Sequence, residues 1–251
     1  MLADVEATGQ LVRTWLDAAS LNAASVARRA GVSPSTLHRV LNDRVDPSVG
    51  TLAEIALACG LALDLATAPL SDRLAAAAAR VMLEDGYKPP DDGDLTMWQQ
   101  RLVRWAGKDD PLGIVQAAAH AASPLHRAQV LLFSGEETLA RLASAGDAAN
   151  GRWALSGAAG LDPGAAVAAA VTILWCDDPQ RVSQMLANSN LRSTRQSHRA
   201  TVAVVGAEPE LFYDSFSVNG IRFVAPIQIV LDSIAQGGAV AKAAIEEAAT
   251  W

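Results

Sequence analysis

The sequence predicts a chain of mixed α+β and α/β class, in which an all-α unit of about five helices precedes an α/β unit with a small sheet. Three observations carry that expectation. Apolar residues keep helical spacing between very short turns from Asp4 to Ala66. Beyond residue 125, short apolar runs alternate with helical stretches. At 251 residues, the chain is also long enough for two packed cores. Apolar residues make up 51% and charged ones 19%, which excludes a disordered or collagen-like chain.

In the N-terminal part, Leu11, Val12, Trp15 and Leu16 place one apolar stripe on a first helix ending near Ser20. Asn22 is a good N-cap for a second helix. Leu21 and Val26 have the spacing of a hydrophobic staple, and Gly31 is a C′ glycine. A third helix starts with Ser33 as N-cap, Pro34 at N1 and a staple from Val32 to Leu37, and runs to about Leu41. Two short helices joined by Ala30-Gly31-Val32-Ser33 have the length and turn of a helix-turn-helix, whose second helix enters the DNA major groove. Leu37, Val40 and Leu41 then face inward. Ser35, His38, Arg39 and Asn42 fall at i, i+3, i+4 and i+7 on the outer face, where such side chains can reach base edges and phosphates.

The stretch LNAASVARRAGVSPSTLHRVLNDRVDPSVGTLAEIALACG resembles the Xre/Cro-type helix-turn-helix of bacterial and phage repressors. Its tail is similar to that family's fourth helix, with Leu52, Ile55, Ala56 and Cys59 at core spacing and Gly60 as the stop. The core VARRAGVSPSTLHRVLN is also similar to the LacI-type headpiece. A full helix precedes the motif here, however, and no recognisable hinge or sugar-binding core follows it, which favours the Xre reading. The resemblance implies base contacts from Pro34, Ser35, His38 and Arg39, and phosphate contacts from Asn42 and Arg44. Ala23 stands where the family usually has glutamine. The expected DNA-contacting set is Ala23, Arg28, Ser33, Pro34, Ser35, Thr36, His38, Arg39, Asn42 and Arg44.

Acids outnumber bases by 27 to 20, a formal charge of −7, and the sequence pI is near 5.1. A global sum of that sign argues against nucleic acid. Locally the sign reverses: between Ser25 and Val45 stand Arg28, Arg29, Arg39 and Arg44 against Asp43 alone, a segment of +3. At ~0.15 M salt, charges more than about 8 Å from the phosphates are heavily screened, so the local sum governs affinity.

Leu70 to Leu83 reads as a further helix, with Leu74, Ala77, Ala78 and Val81 on one face, and is a candidate fifth helix of the N-terminal unit. The stretch Gly86 to Asp94 has two prolines, two glycines and three aspartates. It cannot continue a helix and is expected to mark the boundary between units. The expected organisation is a DNA-binding domain over 1–68, a helix and linker over 69–94 and an α/β domain over 95–251. Trp98, Leu102 and Trp105 mark a short amphipathic helix whose aromatics read as core or interdomain packing.

In the C-terminal part, Val130–Phe133, Val171–Cys176 and Thr201–Val205 read as strands, with helices at about 136–145 and 178–187. Asn219-Gly220 signals a hairpin within Phe212–Phe223, and two final helices are expected at about 225–235 and 238–249. Ser134-Gly-Glu-Glu137 reads as a helix start, with acids at the positive end of the dipole. No phosphate loop, dinucleotide fingerprint, zinc-protease motif or nucleophile elbow is present. His38, His120, His126 and His198 form no metal-spaced cluster. Catalysis, a cofactor and a metal are therefore not expected.

Arg152-Trp-Ala-Leu-Ser-Gly157 and Phe223-Val-Ala-Pro-Ile-Gln-Ile-Val-Leu-Asp232 together resemble the C-terminal domain of AbiEi-family antitoxins, over roughly residues 150 to 249. In this sequence the matching positions are Ala154 to Gly157 and Pro226, Gln228, Leu231 and Asp232. That family usually opens with a winged helix rather than an Xre domain. The resemblance implies a cognate nucleotidyltransferase-type toxin as partner.

From Pro179 to Ala207 there is no acid, while Arg181, Arg192, Arg195, His198 and Arg199 occur. Arg192, Arg195 and Arg199 have the spacing of one helical face. Such a cationic stripe would contact DNA phosphate or an acidic partner, or would be a solvated face paired with surplus carboxylates. Cys59 and Cys176 lie apart in apolar segments and read as buried thiols. The acidic opening residues lack the pattern of a signal peptide, and the longest apolar run, Gly164 to Cys176, falls short of the roughly 20 residues needed to span a membrane. The expectation is a cytoplasmic homodimer that binds a palindromic double-stranded operator, with no membrane role.

Overall fold

A computed structural model of the protein describes residues 8–90, 93–161, 170–186 and 189–250. The chain divides at Ala68/Pro69 into two units. Residues 1–7 and the 164–169 part of the long apolar run lie outside the described residues, as does the part of the expected helical region before Thr8.

The described residues of the first unit form α1 (Thr8–Ala18), α2 (Ala23–Arg29), α3 (Pro34–Leu41) and α4 (Val49–Ala58). Val12, Leu16, Val26, Ala27, Leu37, Val40 and Ile55 share one buried cluster. Leu41, Leu52 and Cys59 pack half-buried against it. The helices start as the sequence implies, because the Asn22, Ser33 and Ser48 side chains accept from the backbone N–H of Ser25, Thr36 and Thr51. All four end alike. The residue after each C-cap takes a left-handed φ, at Ser20, Gly31, Asp43 and Gly60. The next N–H bonds back into the last turn: Leu21 to Leu16, Val32 to Ala27, Arg44 to Arg39 and Leu61 to Ala56, at 2.8–3.1 Å.

The second unit opens with three helices, α5 (Arg73–Leu83), α6 (Leu95–Ala106) and α7 (Pro111–Ala121). Here the structure corrects the sequence reading. α5 is not a fifth helix of the first unit: its alanines pack with Trp98, Leu102, Ile114 and Ala118 of α6 and α7. Asp72, buried at its N-cap, accepts from the Leu74 N–H and from Trp98 Nε1, both at 2.9 Å. The described residues of the proline-rich stretch at 86–94 thus lie inside the second unit and do not mark a boundary between units. Trp105 is 53% exposed and meets Trp98 edge-on, so only two of the three expected core residues on α6 are buried.

The rest of the unit comprises β1 (Leu131–Ser134), α8 (Leu139–Ala148), β2 (Trp153–Gly157), α9 (Ala158–Leu161), β3 (Thr172–Cys176), α10 (Pro179–Met185), β4 (Arg192–Thr194), β5 (Val202–Gly206), β6 (Phe216–Val218), β7 (Ile221–Phe223), α11 (Pro226–Gln236) and α12 (Gly238–Ala248). The acids at Glu136 and Glu137 precede α8 and do not open it; its N-cap is Thr138. The sheet is larger than expected, with seven strands in the order β4-β1-β5-β3-β2-β7-β6. The β3–β5 and β2–β7 pairs are parallel and the others antiparallel. Asn219 and Gly220 at φ 51° and 78° make the hairpin turn between β6 and β7.

Strand alternation sorts the layers. Trp153 of β2 faces α8, where a Cβ on Gly146 would stand 2.4 Å from its ring. Ser156 of β2 and Trp175 of β3 face the other way, onto Asp232 of α11. The sheet is covered on both faces, so its central strands are mostly apolar, with Ser156 the buried polar exception that bonds to Asp232. α11 is buried from Ile227 to Ile234 between sheet and helices.

Candidate nucleic-acid interface

α3 owes its position to two faces with opposite needs. Leu37 and Val40 point into the core, while Pro34, Ser35, His38, Arg39 and Asn42 are exposed. The capping hydroxyl of Ser33 lies 2.8 Å from the Ser35 hydroxyl and 2.7 Å from that of Thr36, so the start of the helix carries a linked row of three hydroxyls. Thr36 is half-buried. Asn42 is the C-cap of α3, and its Nδ2 donates to the His38 carbonyl at 2.6 Å. One of its amide hydrogens is thus committed within the helix, which reduces what it can offer a phosphate.

Arg28 and Arg29, in the last turn of α2, are exposed, as are Arg39 and Arg44. None of these four guanidinium groups forms an ion pair among the described residues. Asp43, the only acid in this segment, is engaged elsewhere: its Oδ1 accepts the Gly9 N–H of α1 at 2.7 Å. Sequence reasoning missed this clamp. Gly9 is buried where a Cβ would meet the Val40 and Leu41 carbonyls at 2.8 and 2.7 Å, and Arg13 donates to the Leu41 carbonyl. The contact spans 34 residues, so no local spacing signals it. Arg29 is a second omission, visible in the local charge sum but absent from the expected contact set. Ala23 is half-buried and offers only a methyl group, so no side-chain hydrogen bond arises at the position where the resemblance implies glutamine.

The second arginine segment is not a helical stripe. Arg192 lies on β4, Arg195 follows that strand, and His198 and Arg199 end a 3-10 turn (Ser197–Arg199). Arg181 is on α10. All five side chains are exposed, but they share no helical face. β4 is an edge strand of three residues, and flanking arginines are a device that blunts such an edge against pairing with another chain.

The two stretches that resemble antitoxin sequences meet in the interior. Ser156 Oγ donates to Asp232 Oδ2 at 2.6 Å, Trp175 Nε1 to the same oxygen at 2.7 Å and Gln228 Nε2 to Oδ1 at 2.9 Å. Cys176 is buried, and Cys59, expected to be buried, is half-buried. Burial raises the pKa of Cys59 against the opposing effect of Arg29, and burial, with Asp178 and Asp177 adding, pushes Cys176 up to about 12. Among the described residues, no group of His, Cys, Asp and Glu is placed to hold a metal, and no helix is long and apolar enough to cross a membrane.

Residues 8–68 match the family model of a helix-turn-helix domain. No curated protein and no solved structure matches the chain.

Proposed function

We propose that the chain is a sequence-specific DNA-binding transcriptional regulator of Xre type, an autorepressor acting as a homodimer, with α3 in the major groove. The observation that carries this reading is the outward face of α3 within a helix-turn-helix domain. Ser35, His38 and Arg39 stand exposed there, and neither Arg39 nor the neighbouring Arg28, Arg29 and Arg44 forms an ion pair among the described residues. Ser35 and Arg39 supply donors for base edges, and Arg28, Arg29 and Arg44 supply phosphate contacts. The homodimer reading is supported by the general pattern that one such motif covers a half-site and a palindromic operator needs two. Val49 and Leu57 of α4, 58% and 60% exposed, are apolar side chains that a second copy would cover.

The antitoxin resemblance rests on Ala154 to Gly157 and on Pro226, Gln228, Leu231 and Asp232; of these, Ser156 and Gln228 are buried and both bond to the buried Asp232. That contact supports a shared interior for the two stretches.

Mobility-shift titration of the DNA upstream of its own gene tests the proposal. Wild type is expected to bind a two-fold symmetric site as a dimer, and Arg39→Ala to lose about 1–3 kcal/mol, roughly 5- to 150-fold, on that site alone. Equal and sequence-independent binding by both proteins overturns it.

A further inference from the structure

The second unit has an apolar cavity of about 430 Å3, bounded by the end of α5, the start of α7, the turn at Asp214, the start of α11 and the end of α12. Leu83, Leu112, Val115 and Ile227 supply its walls. Val115 and Ile227, only 3% and 7% exposed, belong to the buried helical core, so the cavity reaches that core rather than lying on a flat surface. Protein interiors pack closely, and apolar space of this size falls within the range that encloses small molecules.

Among the described residues, the charged groups lining the cavity are two carboxylates and no base. Glu84 is spent, because Arg80 donates to its Oε2 at 2.7 Å and to its Oε1 at 3.1 Å. Asp214 is exposed, and its side chain forms no hydrogen bond or ion pair among the described residues. The turn that carries it is fixed. Arg80 Nη2 donates to the Tyr213 carbonyl at 2.9 Å, Ser215 Oγ donates to the Phe212 carbonyl at 2.8 Å, and Asp214 itself holds a left-handed φ of 56°. Pro226 also lines a second cleft, of about 310 Å3, whose charged lining residue, Glu247, is again an acid. One uncompensated negative charge on a fixed turn thus borders an apolar cavity.

The geometry points to a binding site for a lipophilic monocation, an amine or quaternary ammonium with a compact hydrocarbon or aromatic body, its charge at Asp214. The walls take the body out of water, a gain proportional to the apolar area covered, and the carboxylate selects the sign of the charge. A neutral ligand of the same shape keeps the first contribution and loses the second, while an anion is repelled by Asp214. Because Asp214 is exposed, its charge supplies the smaller share of affinity and most of the discrimination. The inference concerns the second unit alone and is independent of the DNA-binding reading.

The test is calorimetric titration of the full-length protein with three rigid molecules of one shape and different charge: 1-adamantanamine, a cation in neutral buffer, neutral 1-adamantanol and anionic 1-adamantanecarboxylate. The amine is expected to bind saturably, the alcohol about three- to fivefold more weakly and the carboxylate most weakly of all. Asp214→Asn, which suits the same left-handed φ, is expected to bring the amine down to the level of the alcohol and to leave the alcohol unchanged. Ala248→Trp fills the cavity from its half-buried place at the end of α12. With its fold verified by circular dichroism, that variant is expected to lose binding of both. No saturable binding of the amine, a carboxylate that binds as tightly as the amine, unchanged amine affinity in Asp214→Asn, or undiminished binding by Ala248→Trp overturns the proposal.

Discussion

Asp232 has 1% of its surface exposed and accepts three hydrogen bonds, yet burial outweighs them and the Arg127 charge, and raises its pKa. The sign of the consequence follows from linkage. Below about pH 4 the carboxyl is protonated in both folded and unfolded chains. Above that, the folded protein holds a proton the unfolded chain has released, so stability falls as pH rises toward the raised pKa. Asp232→Asn keeps an acceptor for Ser156 and Trp175, and Gln228 can turn its amide to receive the new NH2. Thermal melts across that window are expected to show a falling Tm in the wild type, and the contribution of this site absent in the variant. Residue-scale legibility followed chain separation. Asn22, Gly31, Ser33 and Pro34 act on backbone within a turn or so of themselves and were readable. Asp43, which serves Gly9, and Ser156, which serves Asp232, act across 34 and 76 residues and were not.

Among the elements, α5 shows how composition can mislead. Its alanine-rich face suits any helical bundle, so periodicity identified a helix without assigning it to a unit. Arg80 decides the assignment, since it is fully buried, paired with Glu84 and bonded to the carbonyls of Leu211 and Tyr213, with the Tyr87 ring 4.2 Å from its guanidinium. Removing one member of a buried pair leaves the other charge uncompensated and typically costs about 3–5 kcal/mol. Arg80→Leu is expected to destabilise the second unit by about 3 kcal/mol in urea unfolding followed by tryptophan fluorescence, because Glu84 keeps some access to water. β4 taught the converse: i, i+3, i+7 arginines indicate a stripe only where the backbone is helical, and β1 recruited Arg192–Thr194 into the sheet instead.

At the scale of the whole molecule, a charge of −7 coexists with a DNA-binding proposal because the acids lie elsewhere: residues 66–251 hold 15 bases and 20 acids. If Arg28, Arg29 and Arg44 each neutralise a phosphate on both half-sites, log K against log salt has a slope of about −5, and Arg44→Ala makes it shallower by about 2. Titration of operator binding between low and physiological salt reads both values; a slope near zero removes the phosphate-contact role of these arginines. By itself the sequence determined the helix-turn-helix domain, most of the strands of the second unit and the absence of familiar catalytic motifs, because caps, staples and turn residues act within a few positions of one another. Only the tertiary structure decided that α5 and the described residues after it belong to the second unit, and that the arginines after α10 fall on an edge strand and a turn. Each of those depends on which distant segments bury each other's surface, and that choice is made by the packing of the whole core.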